Sequence, residues 1–347
     1  MEKRHRVGVI GASGYTGAEL LRLLAGHPQL ELVVATGDSQ AGNRVADLYP
    51  SLAAAYGQRR YEPFSPAAVD GLDLVFVGLP HGASQDVVAQ IRGSVGHIVD
   101  LGSDFRLRDP ELYPRWYGEE HRHPHLLAEF AYGLPELFRH ELRGAELIAA
   151  TGCNVATAVF ALAPLLRAGL VEGDGLIVDL ITGVSGAGRP PKPTTTFCTV
   201  DSDVTAYGLL AHRHTPEMEQ ALGQHSGRAA TVLFTPHLAP MNRGILATCY
   251  GRPAAAATTD DALECLRAAY DDEPFFVVDP RSPSTKATLG SNTVHLTARV
   301  DPRTGVVVAI AALDNLMKGA SGMAVQCANL ALGLPETTAL PVVGVYP

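Results

Sequence analysis

The chain has 347 residues, 46% hydrophobic and 18% charged, a globular composition that excludes disorder and leads us to expect two domains, or one with a second embedded in it. A formal net charge of −9 with no basic tract excludes a general nucleic-acid binder and favours small molecules or a protein partner. No apolar run approaches the ~20 residues a membrane helix needs, and the one from Val7 to Ile10 is too short for a signal peptide, so a soluble, cytoplasmic protein is expected.

In chain order, the run Val7–Ile10 reads as a strand, the stretch Gly11-Ala-Ser-Gly-Tyr-Thr-Gly17 as a turn, and Leu20, Leu21, Leu23 and Leu24 as helical spacing. A second strand follows from Leu30 to Ala35, and LDLVFVGLPHGAS, HIVDLGSDFRL and AELIAATGCN add buried-strand runs ending in polar loops. Strands alternating with helices predict a mostly parallel, doubly wound sheet. From about residue 152 the pattern changes to longer, more alternating strands with turn signals such as DPRTG, which suits a mixed or antiparallel sheet half covered by helices. A helix is predicted from about Asn154 to Arg167, with Val155, Val159, Leu162 and Leu166 on one side, and a last helix within NLMKGASGMAVQCANLALGL should pack back on one of the domains.

The glycine stretch follows a strand and opens a helix, as a dinucleotide site requires: the glycines let the backbone approach a pyrophosphate seated on the helix N-terminus. Its spacing, Gly11, Gly14 and Gly17, is a variant of the usual one. Asp38 lies ~20 residues beyond, where an acid accepts the ribose hydroxyl of NAD and repels the 2′-phosphate of NADP. Thr36 and Ser39 offer donors to a phosphate and Arg44 is near in sequence, so these residues leave the coenzyme open.

The five cysteines are odd in number and contain no C-x-x-C pair, so neither a disulfide framework nor a zinc site is expected. Cys153 stands apart, between Gly152 and Asn154 at the start of a predicted helix, where unpaired amides and the dipole stabilise a thiolate. It is read as a nucleophile, and the other four as core. A proton partner is sought in His212-Arg-His214, which precedes a helix-like Thr-Pro-Glu; in an extended segment the two rings would face opposite sides. Loops at strand ends offer His81 and Ser84, then Ser103 and Arg106 suited to an anion, then a flexible backbone at Ser185 and Gly186.

Together, GASGYTGAELLRLL, LPHGAS, DLGSDFRL, YGLPEL, the Gly-Cys at the helix start, SGAG, HRHTPEM, RGILAT and DNLMKGASGMAVQ resemble the N-acetyl-γ-glutamyl-phosphate reductase family, a branch of the aspartate-semialdehyde-dehydrogenase-like enzymes. The resemblance implies an α/β fold: a Rossmann-like domain of residues 1–152 and 315–347, and an α+β catalytic and oligomerisation domain, with a mixed sheet, of residues 153–314. It implies a homo-oligomer, dimer or tetramer, and NADPH as hydride donor, touched by Ser13, Tyr15, Thr16 and Asn315. Cys153 would be the nucleophile and His214 the acid–base, with His212 beside the substrate, Asn154 at the oxyanion, Ser103 and Arg106 at the phosphate and Arg243 at a substrate carboxylate.

Two departures stand out. The family usually reads Gly-Cys-Tyr-Pro-Thr at the nucleophile, and this chain has Gly152-Cys153-Asn154-Val155-Ala156-Thr157. The Asn form resembles the branch that reduces 2-aminoadipyl or glutamyl phosphate on a small acidic amino-group carrier protein, for which Arg189 and Lys192 offer a dock. Asp38-Ser39 stands where the family often has Ser-Arg for the NADP phosphate, which keeps NAD open. The main expectation is therefore carrier-linked acyl-phosphate reduction, with N-acetyl-γ-glutamyl phosphate as the alternative substrate. A redox sensor would need a resolving cysteine, and none is near Cys153 in sequence. A silent subunit would not need Cys153 together with the histidine pair.

Overall fold

The computed structural model describes residues 4–346. The chain divides into two compact units: one to Thr151 plus Ala320–Leu340, the other Gly152–Gly319 plus the tail from Pro341. The expected boundaries lay at 152/153 and 314/315 with the whole tail in the first unit. The tail instead joins the second unit because its main chain bonds there: Asn292 N–H donates to Pro341 O and Val345 N–H to Leu289 O.

The first unit carries strands β1 (His5–Ile10), β2 (Leu30–Ala35), β3 (Leu74–Val77), β4 (His97–Asp100), β5 (Ala131–Gly133) and β6 (Leu147–Ala150), interleaved with helices α1 (Tyr15–Ala25), α2 (Ala83–Ile91) and α3 (Pro135–Leu142). The strand order is β2-β1-β3-β4-β6-β5, and every pairing is parallel. Parallel strands are covered on both faces, which is why Leu74–Val77 and Leu147–Ala150 are buried throughout rather than at alternate positions.

The second unit carries α4 (Cys153–Arg167), β7 (Leu176–Gly183), β8 (Thr205–Ala206), α5 (His214–Ser226), β9 (Val232–Ala239), β10 (Ile245–Gly251), α6 (Thr259–Tyr270), β11 (Phe276–Val278), β12 (Val294–Val300) and β13 (Val307–Leu313). Its sheet runs β11-β12-β13-β10-β7-β9-β8 and mixes parallel pairs (β7 with β9, β11 with β12) with antiparallel ones. The DPRTG signal forms the β12–β13 turn, closed by Gly305 N–H to Asp301 O with Gly305 at φ +73°. After β13 the chain makes a π-helical turn, Met317–Ser321, and enters α7 (Gly322–Ala331), which packs in the first unit against α1, α3 and β4 to β6.

The helix α4 differs from its sequence reading. Not one side but all of Asn154–Leu166 is buried. It lies against β10 and β13 below and against α5 and α6 above, so each face meets protein, and only a helix apolar all round suits that place.

Candidate functional site

In the first unit the glycine loop divides its labour. Gly11 has φ +82°, and a Cβ there would lie 2.3 Å from Gly78 O; one on Gly17 would lie 2.5 Å from Gly11 O. The protein's own packing therefore requires both. Gly14 is different: a Cβ there would meet only Gly11 O at 3.5 Å. It caps α1 with no side-chain hydrogen bond, and the first turn holds no acid. That leaves the first amides of α1 and the space above Gly14, beside half-buried Tyr15 and Thr16, for an anion from outside, and the loop fits a dinucleotide phosphate. Ser13 is buried, with its carbonyl accepting the Tyr49 hydroxyl at 2.9 Å. Asp38 and Ser39 are exposed on the turn after β2.

The loops LPHGAS and DLGSDFRL meet at the C-terminal ends of β3 and β4. Buried Asp104 caps α2, accepting Gly82 N–H at 2.8 Å, Ser84 N–H at 3.1 Å and the Ser84 hydroxyl at 2.8 Å. His81 Nδ1 is 2.6 Å from Asp104 Oδ1 and 3.1 Å from Ser103 Oγ. Burial alone would raise the Asp104 carboxyl, but His81, the Gly82 amide and Ser84 outweigh it and hold the group below its ordinary range. Burial, then the neighbouring Asp104 charge, pushes Asp100 up to about 7. Arg106, expected at a phosphate, is buried and ties strand ends together, donating from Nε to Ala150 O at 2.8 Å and from Nη2 to Leu101 O at 2.9 Å.

In the second unit Cys153 is the first residue of α4 and half-buried, and Gly152 supplies the extended N-cap at φ −71° and ψ 143°. Two neighbours fix it. Glu217 of α5, fully buried, accepts Gly152 N–H at 2.9 Å. Gly319 of the π-helical turn comes so close that a Cβ there would lie 2.8 Å from Cys153 Cβ. The thiol Sγ is 3.6 Å from Asn154 Oδ1, and the Asn154 side chain also faces the Tyr207 hydroxyl. Tyr207 is pushed up to about 12 by burial first and by the Cys153 charge second.

The histidine pair is not extended. A turn brings both rings to one place, their centroids 4.8 Å apart, and His214 N–H donates to His212 Nδ1 at 3.1 Å as α5 begins. His212 packs edge-on against Tyr207 at 5.5 Å and Phe234 at 5.1 Å. Burial, then Arg213, pushes it down to about 4, so it is neutral near pH 7.

Ser185, Gly186 and Asn315 come together in this unit. Asn315 is buried, donates to Ser185 Oγ at 2.9 Å and accepts Gly244 N–H at 2.8 Å, so both ends of its amide brace loops. Arg243, expected at a substrate carboxylate, meets buried Asp314, with Nη2 3.0 Å from Oδ1. Tyr207, Glu217, Asp314 and Gly319 were not singled out from the sequence. Asp314 and Gly319 lie in DNLMKGA and Glu217 in HRHTPEM, motifs already noted but without a role for these residues, and Tyr207 becomes visible only through what it faces. Among the described residues, no group of three or more histidine, cysteine or acidic side chains is placed to hold a metal ion, and no helix is long and apolar enough to cross a membrane.

The chain is similar to known proteins. A family profile described as semialdehyde dehydrogenase, NAD binding domain, matches residues 6–145, and one described as semialdehyde dehydrogenase, dimerisation domain, matches residues 153–315. The N-acetyl-gamma-glutamyl-phosphate reductase of Symbiobacterium thermophilum is 47% identical over 346 residues, and that of Acidothermus cellulolyticus 48% over 347, each alignment covering 99% of both chains. Aspartate semialdehyde dehydrogenase II of Vibrio cholerae, solved with ASA, superposes with a TM-score of 0.72 at 16% identity, over 96% of this chain and 99% of that one. The Candida albicans enzyme, solved with NADP, gives 0.63 at 16% identity over 94% and 98%. At such identities the structures show the fold: a dinucleotide-binding Rossmann domain with a parallel sheet and a dimerisation domain with a mixed one.

Proposed function

We propose, from the premise that the chain belongs to the N-acetyl-γ-glutamyl-phosphate reductase family, that it reduces N-acetyl-γ-glutamyl phosphate to the semialdehyde with release of phosphate. The chain is an oxidoreductase of the phosphorylating acyl-phosphate reductase type with an NAD(P)-binding domain. The relatives bear the name of the N-acetylated substrate, which favours that alternative over the carrier-linked reading with which the sequence began. The observation that carries the chemistry is Cys153 on the first turn of α4, held by Glu217 and Gly319 beside Asn154 and Tyr207.

The Cys153 thiolate attacks the acyl carbon, the carbon–oxygen bond to phosphate breaks, and a thioester remains. The nicotinamide, when bound, supplies hydride equivalents to that acyl group. His214 takes up the thiol proton, gives it to the oxyanion that hydride addition leaves on the thioester carbon, and takes it back as the resulting thiohemiacetal collapses to aldehyde and thiolate. The α4 amides and Asn154 support the oxyanion. Ser103 and Arg106 at the leaving phosphate and Arg243 at a substrate carboxylate remain proposals, since each also braces the fold. A homo-oligomer belongs to the same reading.

A second reading rests on Asn154: a 2-aminoadipyl or glutamyl phosphate on an acidic carrier protein, docking at exposed Lys192 and half-buried Arg189. The reverse reaction separates them. Phosphate-dependent reduction of the oxidised dinucleotide is measured with free N-acetylglutamate semialdehyde and with carrier-linked semialdehydes, and Cys153→Ser serves as the control. Turnover of the free form, lost by at least about a hundredfold in the variant, supports the first reading. Turnover of the carrier-linked form alone supports the second, and silence with both defeats both.

A further inference from the structure

Lys318, in the π-helical turn after β13, is fully buried, a place that lysine almost never takes unless its charge is met. Its Nζ stands 5.6 Å from the ring centroid of Phe160, 5.2 Å from that of Phe275 and 5.7 Å from that of Phe276. Each distance is inside the ~6 Å over which an aromatic face attracts a cation. The box is itself braced. Phe160 and Phe276 meet edge to face at 4.8 Å, Tyr270 of α6 stacks on Phe276 at 4.3 Å, and the Tyr270 hydroxyl donates to Phe160 O at 2.9 Å.

What the box holds is the turn. Lys318 and Gly319 are adjacent in it and meet α4 at separate points: Gly319 at Cys153 on the first turn, Lys318 at Phe160 about two turns, or ~10 Å, further along. Cys153 and Phe160 stand at i and i+7, which share one face of an α-helix, so the turn runs along that face and is fastened at both ends. Gly319 has no side chain with which to keep its place. Its N–H bond to Asp314 O, at 3.0 Å, closes the turn on itself and does not tie it to α4. Lys318 supplies that tie, and its charge is carried one residue from the glycine that comes against Cys153. Glu217 from α5 and Tyr207 from the loop after β8 also face this end of α4, and His214 opens α5.

We propose that Lys318 is a positioning residue for Cys153: its ammonium, boxed by Phe160, Phe275 and Phe276, pins the π-helical turn to α4 and so holds Gly319 against the cysteine. The inference rests on the reading of Cys153 as the reacting thiol. The test is alkylation of Cys153 by iodoacetamide in the full-length chain as a function of pH, followed in the Cys153 peptide by mass spectrometry, with no substrate or dinucleotide present. Lys318→Met keeps the length of the side chain and removes the cation, and Phe275→Leu keeps the cation and removes one ring. A buried cation favours a nearby thiolate, so the midpoint of the alkylation profile should rise by at least about half a pH unit in Lys318→Met and by less in Phe275→Leu. In the phosphate-dependent reverse reaction kcat should fall at least about tenfold, with KM within about threefold of the wild type. A lysine that only stabilises the fold would lower the melting temperature and leave the midpoint in place, and that result in either variant overturns the inference. A shifted midpoint in a protein whose wild type turns nothing over defeats the proposed reaction alone. An unshifted midpoint beside full wild-type turnover defeats the positioning role alone.

Discussion

His212 is neutral because it is buried, and this has a measurable consequence. Between its ordinary 6.5 and the folded value of about 4, the unfolded chain binds a proton that the folded chain does not. Stability is therefore lost as pH falls through that window, by ~3 kcal/mol at most for a shift of this size. Urea denaturation of wild type and His212→Asn at several pH values between 7 and 4 checks it. The variant should show the shallower fall, and parallel curves would sink the assignment of a neutral His212. The same residue illustrates the reach of the sequence. Cys153 and the histidine pair were legible from position, because a helix start and a short spacing are local properties. That the pair folds into one place was not, because Gly208 at φ +60° turns the chain back so that a Cβ there would lie 3.0 Å from His212. What Tyr207 and Glu217 touch was invisible for a related reason: these are contacts across elements.

At the scale of elements, the parallel sheet, the glycine turn and the mixed sheet were readable because strand runs and alternation follow from burial on two faces or one. The burial of α4 on all sides was not, since its long apolar run suits a one-sided stripe as well as a central helix. Nor was the π-helical turn Met317–Ser321, whose Gly319 N–H bonds Asp314 O five residues back. That turn seats Gly319 against Cys153. Adding one methyl group, Gly319→Ala, sets a carbon 2.8 Å from Cys153 Cβ, a separation that atoms do not tolerate, so the turn or the thiol must move. Displacement of a reacting group by ~1 Å is enough for about a hundredfold loss in rate. We expect kcat to fall by at least about tenfold, with a parallel change in the rate at which iodoacetamide alkylates Cys153. An unchanged kcat and alkylation rate would mean that Gly319 does not position the thiol.

At the scale of the molecule, α4, α5 and α6 pack on one face of the second unit's sheet, and the exposed alternate positions of β7 mark outward rows set by the strand register. Ile177 pairs with Leu233 on β9 and with Tyr250 on β10, and Ile181 pairs with His237 and Leu246. Ile177, Ile181 and Leu233, on the paired strands β7 and β9, are between 37% and 47% exposed, an apolar patch rather than scattered single residues. A sheet face of this kind in a domain that matches a dimerisation profile is suited to a second copy of itself, through a two-fold contact that repeats the same rows. Replacing two neighbours on β7, Ile177→Glu with Ile181→Glu, places four charges in such a contact while leaving each free in solvent when the chain is alone. Sedimentation velocity should then show a smaller species than the wild type, with the circular dichroism spectrum unchanged. Val343→Glu, at a more exposed apolar residue on the tail, should leave the assembly as it was. If the β7 variant keeps the wild-type sedimentation coefficient, the oligomer is built on another surface, and this face of the sheet has a different use.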